Sequence, residues 1–171
     1  NVALKQGIIF GSVYEFYKKK AKNNKKVTIP AINIRGMTYN TARAIFEAAK
    51  KDKVNSLILE IAKSEIEYTD QRPAEYATSI LSAAIKEGYQ NILFLQGDHF
   101  QINASKYKED PEKEREKIKG LIREAIEAGF YQIDLDMSTL VDWSETDYDA
   151  QQRTNYKETA LLTAYVRDLE R

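Results

Sequence analysis

The chain contains a single histidine, His99, which directly follows Asp98. An imidazole can hold a divalent metal ion while a neighbouring carboxylate transfers a proton, and these two tasks need different groups. Neighbouring residues in a regular strand point to opposite faces, so both side chains can serve one site only if the chain bends, and Gly97 permits such a bend. A histidine that is only hydrogen-bonded within the structure is the alternative interpretation.

Two further carboxylates, Asp134 and Asp136, are two positions apart and would share one face of a strand. Like charges at this distance raise the pKa of one carboxyl unless a cation lies between them, which favours metal binding or acid/base work. The alternative is ion pairing with Lys63 or Arg35. Both interpretations stay open for Asp136, and ion pairing is favoured for Asp134.

Lys63 and Arg72 are the remaining candidates for chemistry. A desolvated lysine can form a Schiff base with a ketose, whereas an ion pair with Glu60 or another acidic neighbour is the favoured interpretation. Arg72 precedes Pro73 at a predicted helix start and can bind a phosphate or a carboxylate. A surface contact with Asp70 is its alternative.

These residues follow short apolar runs that alternate with segments of helical period, a pattern typical of repeated βα units in an α/β protein with a parallel sheet. The predicted strands are residues 27–33, 56–61, 91–96 and 131–136. A helix follows each strand, the last over about 149–169, and one further helix precedes the first strand. In such folds the carboxyl ends of the strands carry the chemistry, and all four ends here are polar.

Composition narrows the functional classes. The 171 residues suit one domain, 1–171, and 26 basic residues balance 26 acidic ones, so a nucleic-acid partner is not expected. The sequence has no run of roughly 18 apolar residues that would span a membrane. It has no cysteine, which excludes disulfides and thiol nucleophiles. A cytoplasmic protein is expected.

Several segments resemble class II, zinc-dependent ketose-bisphosphate aldolases. The similar segments are residues 11–14, the Ile-Pro-Ala-Ile-Asn run at 29–33, Gln96-Gly97-Asp98-His99, and 129–138. Residues 60–65 and 69–76 are similar to a divergent branch of fructose-bisphosphate and tagatose-bisphosphate aldolases. The resemblance runs in register over nearly the whole chain.

This resemblance implies a TIM (β/α)8 barrel, of which the chain supplies about the first four βα units after an N-terminal helix. It also implies reversible cleavage of fructose 1,6-bisphosphate, or of its tagatose epimer, to dihydroxyacetone phosphate and glyceraldehyde 3-phosphate. The expected cofactor is Zn²⁺, with a possible second divalent or monovalent cation. A phosphorylated ketose is the expected partner.

The resemblance also assigns expected roles to residues. His99 would be a zinc ligand, and Asp98 would exchange the proton of the substrate's C4 hydroxyl. Asp136 is a second predicted metal ligand. Asn33, Lys63 and Ser138 are the predicted substrate-binding residues.

The sequence departs from the family pattern after the second strand, where Ala62 and Lys63 replace a serine and a glycine-rich stretch. The family's other zinc histidines, its proton-abstracting glutamate and its phosphate loops belong to strands five to eight. The chain is therefore expected to be about half of an aldolase, inactive alone, and either a homo-oligomer or joined to the remainder of a longer chain. A non-catalytic half barrel or phosphosugar-binding module is the alternative.

Overall fold

The computed structural model describes residues 2–170, in which five parallel strands form one sheet covered by helices. The strands are β1 (Ile9–Phe10), β2 (Ala31–Asn33), β3 (Ser56–Ala62), β4 (Ile92–Asp98) and β5 (Gln132–Ile133). The helices are α1 (Val2–Lys5), α2 (Val13–Lys22), α3 (Thr38–Lys51), α4 (Lys63–Thr69), α5 (Pro73–Glu87), α6 (Ala104–Glu109), α7 (Pro111–Glu127) and α8 (Tyr148–Leu169). A short 3-10 helix spans Ser138–Leu140. Among the residues described, no helix combines the length and the apolar character needed to cross a bilayer.

Strands β2 to β5 lie side by side in chain order, and each pair is parallel. Helices connect successive strands, as the alternating apolar and helical segments predict. The α/β class with a parallel sheet is thus confirmed, and the order is consistent with part of a TIM-barrel-like arrangement. Unlike the predicted order, the sheet also includes β1, which shares an edge of β4 with β5: β1 pairs at Ile92 and Leu93, and β5 pairs at Gln96 and Gly97.

Two of the four predicted strands are shorter than expected. The strand predicted over 27–33 is reduced to β2, because Pro30 has no amide hydrogen with which to extend the ladder. The strand predicted over 131–136 is reduced to β5. Beyond β5 the contact with β4 continues irregularly, since the Asp134 amide donates to the Gly97 carbonyl and the Phe100 amide donates to the Asp134 carbonyl.

The two faces of the sheet are covered differently. Alternate residues of β3 and β4, such as Leu59 and Leu95, are buried under α3, α5 and α7, where each contributes roughly 1.5–3 kcal/mol of hydrophobic stabilisation. On the opposite face, Ile58 and Phe94 are covered near the start of the strands by α2, whose Phe16 ring lies 5.5 Å from that of Phe94. Helix α2 confirms the helix predicted before the first strand. Polar side chains occupy this face nearer the carboxyl ends.

Candidate metal and acid/base site

The backbone bends sharply where β4 ends, and the bend places Asp98 and His99 side by side. It occurs at His99 itself, whose φ of 44° is in the left-handed region, and not at Gly97 as predicted. Gly97 is needed for a different reason, because a Cβ there would lie 2.6 Å from the buried ring of Phe100. Packing of Phe100 thus explains why glycine precedes the Asp-His pair.

The His99 ring is held by Asp136. His99 Nδ1 lies 2.8 Å from Asp136 Oδ2, and the His99 side chain is 57% exposed. Partial burial opposes ionisation of Asp136, but hydrogen bonds from Ser138, Gln101 and His99 outweigh it and lower the pKa of Asp136 well below its ordinary range. A carboxylate that is ionised can only accept, so Nδ1 carries the hydrogen and Nε2 of the neutral ring keeps a lone pair.

Negative charge surrounds this ring. The hydrogen bond to Asp136 raises the pKa of His99, burial opposes the rise in part, and the charges of Asp98, Asp136 and Asp134 add to it. The distances are 3.7 Å from His99 Nε2 to Asp98 Oδ2 and 3.7 Å from Nδ1 to Asp134 Oδ2. The arrangement therefore attracts a positive charge, either a proton on the ring or a metal ion.

Asp98, His99 and Asp134 form a possible ligand set. Each offers one ligand atom, and these atoms lie within 4.8 Å of one another. One imidazole and two carboxylates suit a divalent cation such as Zn²⁺, whose catalytic sites commonly use three protein ligands. A carboxylate that fixes the second ring nitrogen, as Asp136 does, is the usual support of a metal-binding histidine. The donors present thus fit a divalent metal ion.

The positively charged residues suggested as partners of this cluster pair elsewhere. Lys63 Nζ lies 3.2 Å from Glu67 Oε1, which Lys117 of α7 also binds at 2.7 Å, so the ammonium lies among the helices. Arg35 Nε lies 3.2 Å from Glu65 Oε1. The favoured ion pairing of Asp134 with Lys63 or Arg35 is therefore absent from the ion pairs of residues 2–170.

Arg72 also differs from its predicted surface contact. Its Nε donates to Glu124 Oε2 of α7 over 2.9 Å, whereas the alternative interpretation of Arg72 had Asp70 as the partner. The substrate role predicted for Lys63 stays a prediction, as does the metal role of Asp136.

Asn33 and Ser138 occupy neighbouring parts of the same end of the sheet. Asn33 Nδ2 donates to Glu65 Oε2 over 3.0 Å, and the Ala62 amide donates to the same oxygen over 2.8 Å. Asn33 Oδ1 is buried and has no hydrogen-bond partner among the residues described. The Ser138 amide donates to Asp136 Oδ1 over 3.0 Å, so Ser138 helps to hold the carboxylate that orients His99.

Sequence reasoning gave no role in the site to four polar residues of this region: Glu60, Glu65, Gln96 and Gln101. Gln96 Nε2 donates to Glu60 Oε2 over 2.8 Å, and Gln101 Nε2 donates to Asp136 Oδ2 over 2.6 Å. Burial raises the pKa of Glu60, and the charge of Asp98 raises it further. The sequence signal for Gln96 is its position two residues before Asp98, which puts both side chains on the same face of β4. Glu60 is the register partner of Gln96 on β3 and lies on that face as well.

Comparison with protein-family models identifies the family. The family model described as fructose-bisphosphate aldolase class-II matches residues 14–170, a range that includes all the site residues described above. No curated protein matches the chain.

Proposed function

Because the chain belongs to the class-II fructose-bisphosphate aldolase family, we propose that it carries out metal-dependent aldol cleavage and condensation of a ketose 1,6-bisphosphate. The substrate is fructose or tagatose 1,6-bisphosphate, and the products are dihydroxyacetone phosphate and glyceraldehyde 3-phosphate. The observation that carries this proposal is the imidazole of His99, held by Asp136 at 2.8 Å among acidic side chains.

The proposed metal is Zn²⁺. His99 would hold it through Nε2 and Asp134 through its carboxylate, while Asp136 fixes the ring. Asp98, the third member of the possible ligand set, would be left for acid/base work. When bound, the cation polarises the substrate carbonyl and stabilises the negative charge that develops beside it. An accessory cation beside Asp136 and Ser138 belongs to the same proposal.

Asp98 is the proposed acid/base. Its carboxylate lies beside His99 Nε2 and is only 19% exposed, so it can reach the same substrate while little water competes for it. In cleavage Asp98 takes the proton of the C4 hydroxyl, the C3–C4 bond breaks, and C4 becomes the aldehyde carbon. The electron pair of that bond stays on C3. Condensation reverses these transfers, and Asp98 returns the proton.

The finer architecture belongs to the proposal as well. The chain order of β2 to β5 supports the first half of a TIM (β/α)8 barrel. A groove of about 810 Å³ beside β5, lined partly by Ile133, Leu135 and Val166, supports association with further βα units. A second copy of this chain or other residues of a longer polypeptide would supply those units.

The test is cleavage of fructose 1,6-bisphosphate by the zinc-loaded protein, followed with and without a chelator. Chelation is expected to abolish cleavage and zinc to restore it. Borohydride added with substrate is expected to leave no adduct on Lys63, because the metal replaces a Schiff base. An adduct at Lys63 would move the protein to Schiff-base chemistry, and cleavage that survives chelation would exclude the metal mechanism.

The limited ligand set favours a second candidate, a non-catalytic phosphosugar-binding module. The chain offers one imidazole, and catalytic zinc sites often use two or three. Such a module would bind the ketose without cleaving it and would associate through its open sheet edges. Sedimentation velocity with a parallel turnover assay separates the two: an associated protein that binds but never cleaves is the binding module.

A further inference from the structure

Helix α2 and the turn that follows it carry a dense group of positive charges. Six of the nine residues at 18–26 are lysines, and Glu15 is the only acidic residue within 1–46. Because the whole chain has 26 basic and 26 acidic residues, its remaining part carries a matching excess of negative charge. The lysine surface consists of Lys18, Lys19, Lys20, Lys22, Lys25 and Lys26.

The lysine surface is held in one arrangement by the way α2 ends. Asn24 has a left-handed backbone, with a φ of 50°. The Lys25 amide donates to the Lys20 carbonyl over 3.0 Å. The Asn24 amide donates to the Ala21 carbonyl over 2.9 Å. These two bonds form a Schellman motif, which satisfies carbonyls at the helix end and keeps Lys25 beside the last helical turn.

The other side of α2 is packed into the protein. Val13 is buried, and the Phe16 ring lies 5.5 Å from that of Phe94. Lys20 is half-buried, with its ammonium 5.0 Å from the centre of the Phe16 ring, and the other five lysines are exposed. A partner can therefore reach the charges without a change of fold.

Stabilisation of the fold accounts for only part of this charge. The helix dipole favours lysines in the last turn, and Lys18 Nζ lies 3.7 Å from Glu15 Oε1. That contact is the single ion pair of the lysine surface among residues 2–170. Lys18 and Lys22 are four residues apart and repel each other. The repulsion becomes smaller when an anionic partner supplies the opposite charge.

The residue types favour a partner with diffuse negative charge. Arginine binds single phosphates through its planar fork and is the preferred residue for nucleic acid, whereas lysine is a flexible point charge. The lysine surface contains no arginine. Tyr14 is 67% exposed, and its ring centre lies 5.2 Å from Lys18 Nζ. A ring with an apolar body and a polar tip suits the headgroup layer of a membrane.

We propose that the lysine surface docks the protein on an anionic lipid surface. The ammonium groups pair with the headgroup phosphates, and the Tyr14 ring lies among the headgroups. The apolar side of α2 is already packed against the sheet, so the helix does not insert. Binding is therefore peripheral, reversible and dependent on salt. It requires neither zinc nor aldol cleavage.

The test is sedimentation of the protein with lipid vesicles at about 0.1 M salt, where charges interact over about 10 Å. Vesicles of phosphatidylglycerol and phosphatidylcholine in equal parts are expected to bind the protein, and vesicles of phosphatidylcholine alone are not. At about 1 M salt the screening length falls to about 3 Å, and binding should be lost. Equal binding to both vesicle types, binding to neither, or binding that survives the high salt overturns the proposal.

Two pairs of substitutions with the same loss of charge separate the lysine surface from the net charge of the protein. Lys25→Gln with Lys26→Gln is expected to weaken vesicle binding about 25-fold, since each lysine near an anionic surface contributes about fivefold. Lys51→Gln with Lys86→Gln, at exposed lysines of α3 and α5 on the other face of the sheet, should change it less than about twofold. Equal weakening by the two pairs refutes a specific surface.

Glu15→Gln is expected to have the opposite effect. It removes the only carboxylate beside the lysines, so vesicle binding should strengthen about fivefold. Unchanged or weaker binding of this variant contradicts the proposal. A single-stranded oligonucleotide is the competing ligand. If it binds the protein more tightly than the mixed vesicles do, and the Lys25→Gln, Lys26→Gln variant loses that binding, the surface serves nucleic acid and the membrane proposal is rejected.

Discussion

The carboxyl ends of β3 and β4 lie side by side, since Ala62 and Asp98 are register partners, yet their charged residues have opposite surroundings. After β3, Glu65 is buried and accepts hydrogen bonds from Asn33 and from the backbone, with Arg35 beside it. After β4, the carboxylates of Asp98, Asp134 and Asp136 surround one exposed imidazole.

The two strand ends differ in whether their carboxylates form ion pairs with lysine or arginine side chains of the chain. At the β3 end Glu65 pairs with Arg35 and Glu67 pairs with Lys63, so these carboxylates stabilise the helix start, and Glu65 holds the substrate candidate Asn33 in place. At the β4 end negative charge exceeds positive charge, and the surplus can be neutralised by a metal ion or a proton. Carboxylates therefore stabilise the fold at the end of β3 and favour metal binding or proton transfer at the end of β4.

The largest expected effect is the loss of metal binding at the β4 end. His99→Ala removes the only imidazole and is expected to weaken Zn²⁺ binding by at least about 100-fold, measured by isothermal titration calorimetry. Because the side chain is exposed, the free energy of unfolding of the metal-free protein should hardly change. Zinc binding that survives the substitution would remove the contrast between the two strand ends.

A substitution at the β3 end should lower stability and leave zinc binding nearly unchanged. Glu65→Ala removes a buried carboxylate that Asn33 Nδ2, the Ala62 amide and Arg35 all contact. We expect it to lower the free energy of unfolding by about 2 kcal/mol, measured with urea, because buried donors lose their acceptor. Zinc affinity should stay within about twofold of the parent value because the removed carboxylate is not among the proposed ligands. A large fall in zinc affinity would contradict the separation of roles.

A substitution at Gly97 can disturb the bend after β4 without changing a charged residue. Gly97→Ala puts a Cβ against the Phe100 ring, which is fully buried and cannot easily move. The expected loss is about 1 to 2 kcal/mol of unfolding free energy, again by urea titration, with weaker zinc binding as His99 shifts. Gly120→Ala on α7 is the control: its Cβ meets nothing within 4 Å, and alanine favours a helix. Equal effects of the two substitutions would refute the steric explanation.

The effect of Asp136 on the His99 ring can be measured by NMR without overlap, since the chain has a single histidine. Asp136→Asn is expected to weaken zinc binding about tenfold. It should also lower the pKa of His99 in the metal-free protein, because the hydrogen bond that His99 donates to Asp136 is the main cause of the raised pKa. A proton NMR titration of the ring measures this shift. An unchanged pKa would mean that the hydrogen bond is not formed in solution.

The smallest expected effect concerns Glu67 at the β3 end. Burial raises the pKa of Glu67, but Lys117 and Lys63 together lower it below its ordinary value. Its contribution to stability is therefore present above the unfolded pKa of about 4.3 and is lost as the pH falls through the folded pKa. Glu67→Gln should cost at most about 0.5 kcal/mol at pH 7, since the carboxylate is 41% exposed and screened by solvent. Urea titrations should show no difference at pH 2; a difference that persists there would have another cause.

Much of the sheet could be predicted, because apolar runs and helical periods are local properties of the sequence. The run that forms β3 and the run that forms β4 were found within two residues of their observed ends. The two-residue strand β1 was not found, since two residues show no period. The strand predicted over 27–33 is present but too long in the prediction, because its pattern ignored the missing amide hydrogen of Pro30.

The site was only partly predictable, because local spacing shows some of its residues and tertiary packing places the others. The Asp98-His99 pair and the spacing of Asp134 and Asp136 are visible in the sequence, and so is the face they share. The left-handed backbone at His99 and the packing of Phe100 against Gly97 are not revealed by residue spacing. Which carboxylate each lysine or arginine pairs with also depends on the tertiary structure, as the pair between Arg72 and Glu124 shows.

The place of β1 has a consequence for how the protein is made. Its Ile9 is the register partner of Ile92 and donates its amide hydrogen to the Asn91 carbonyl, far along the chain, whereas β2 and β3 are joined by a single crossover. Contacts between distant residues cost more loop-closure entropy and form later in folding. During synthesis, β1 can therefore join the sheet only after β4 has left the ribosome.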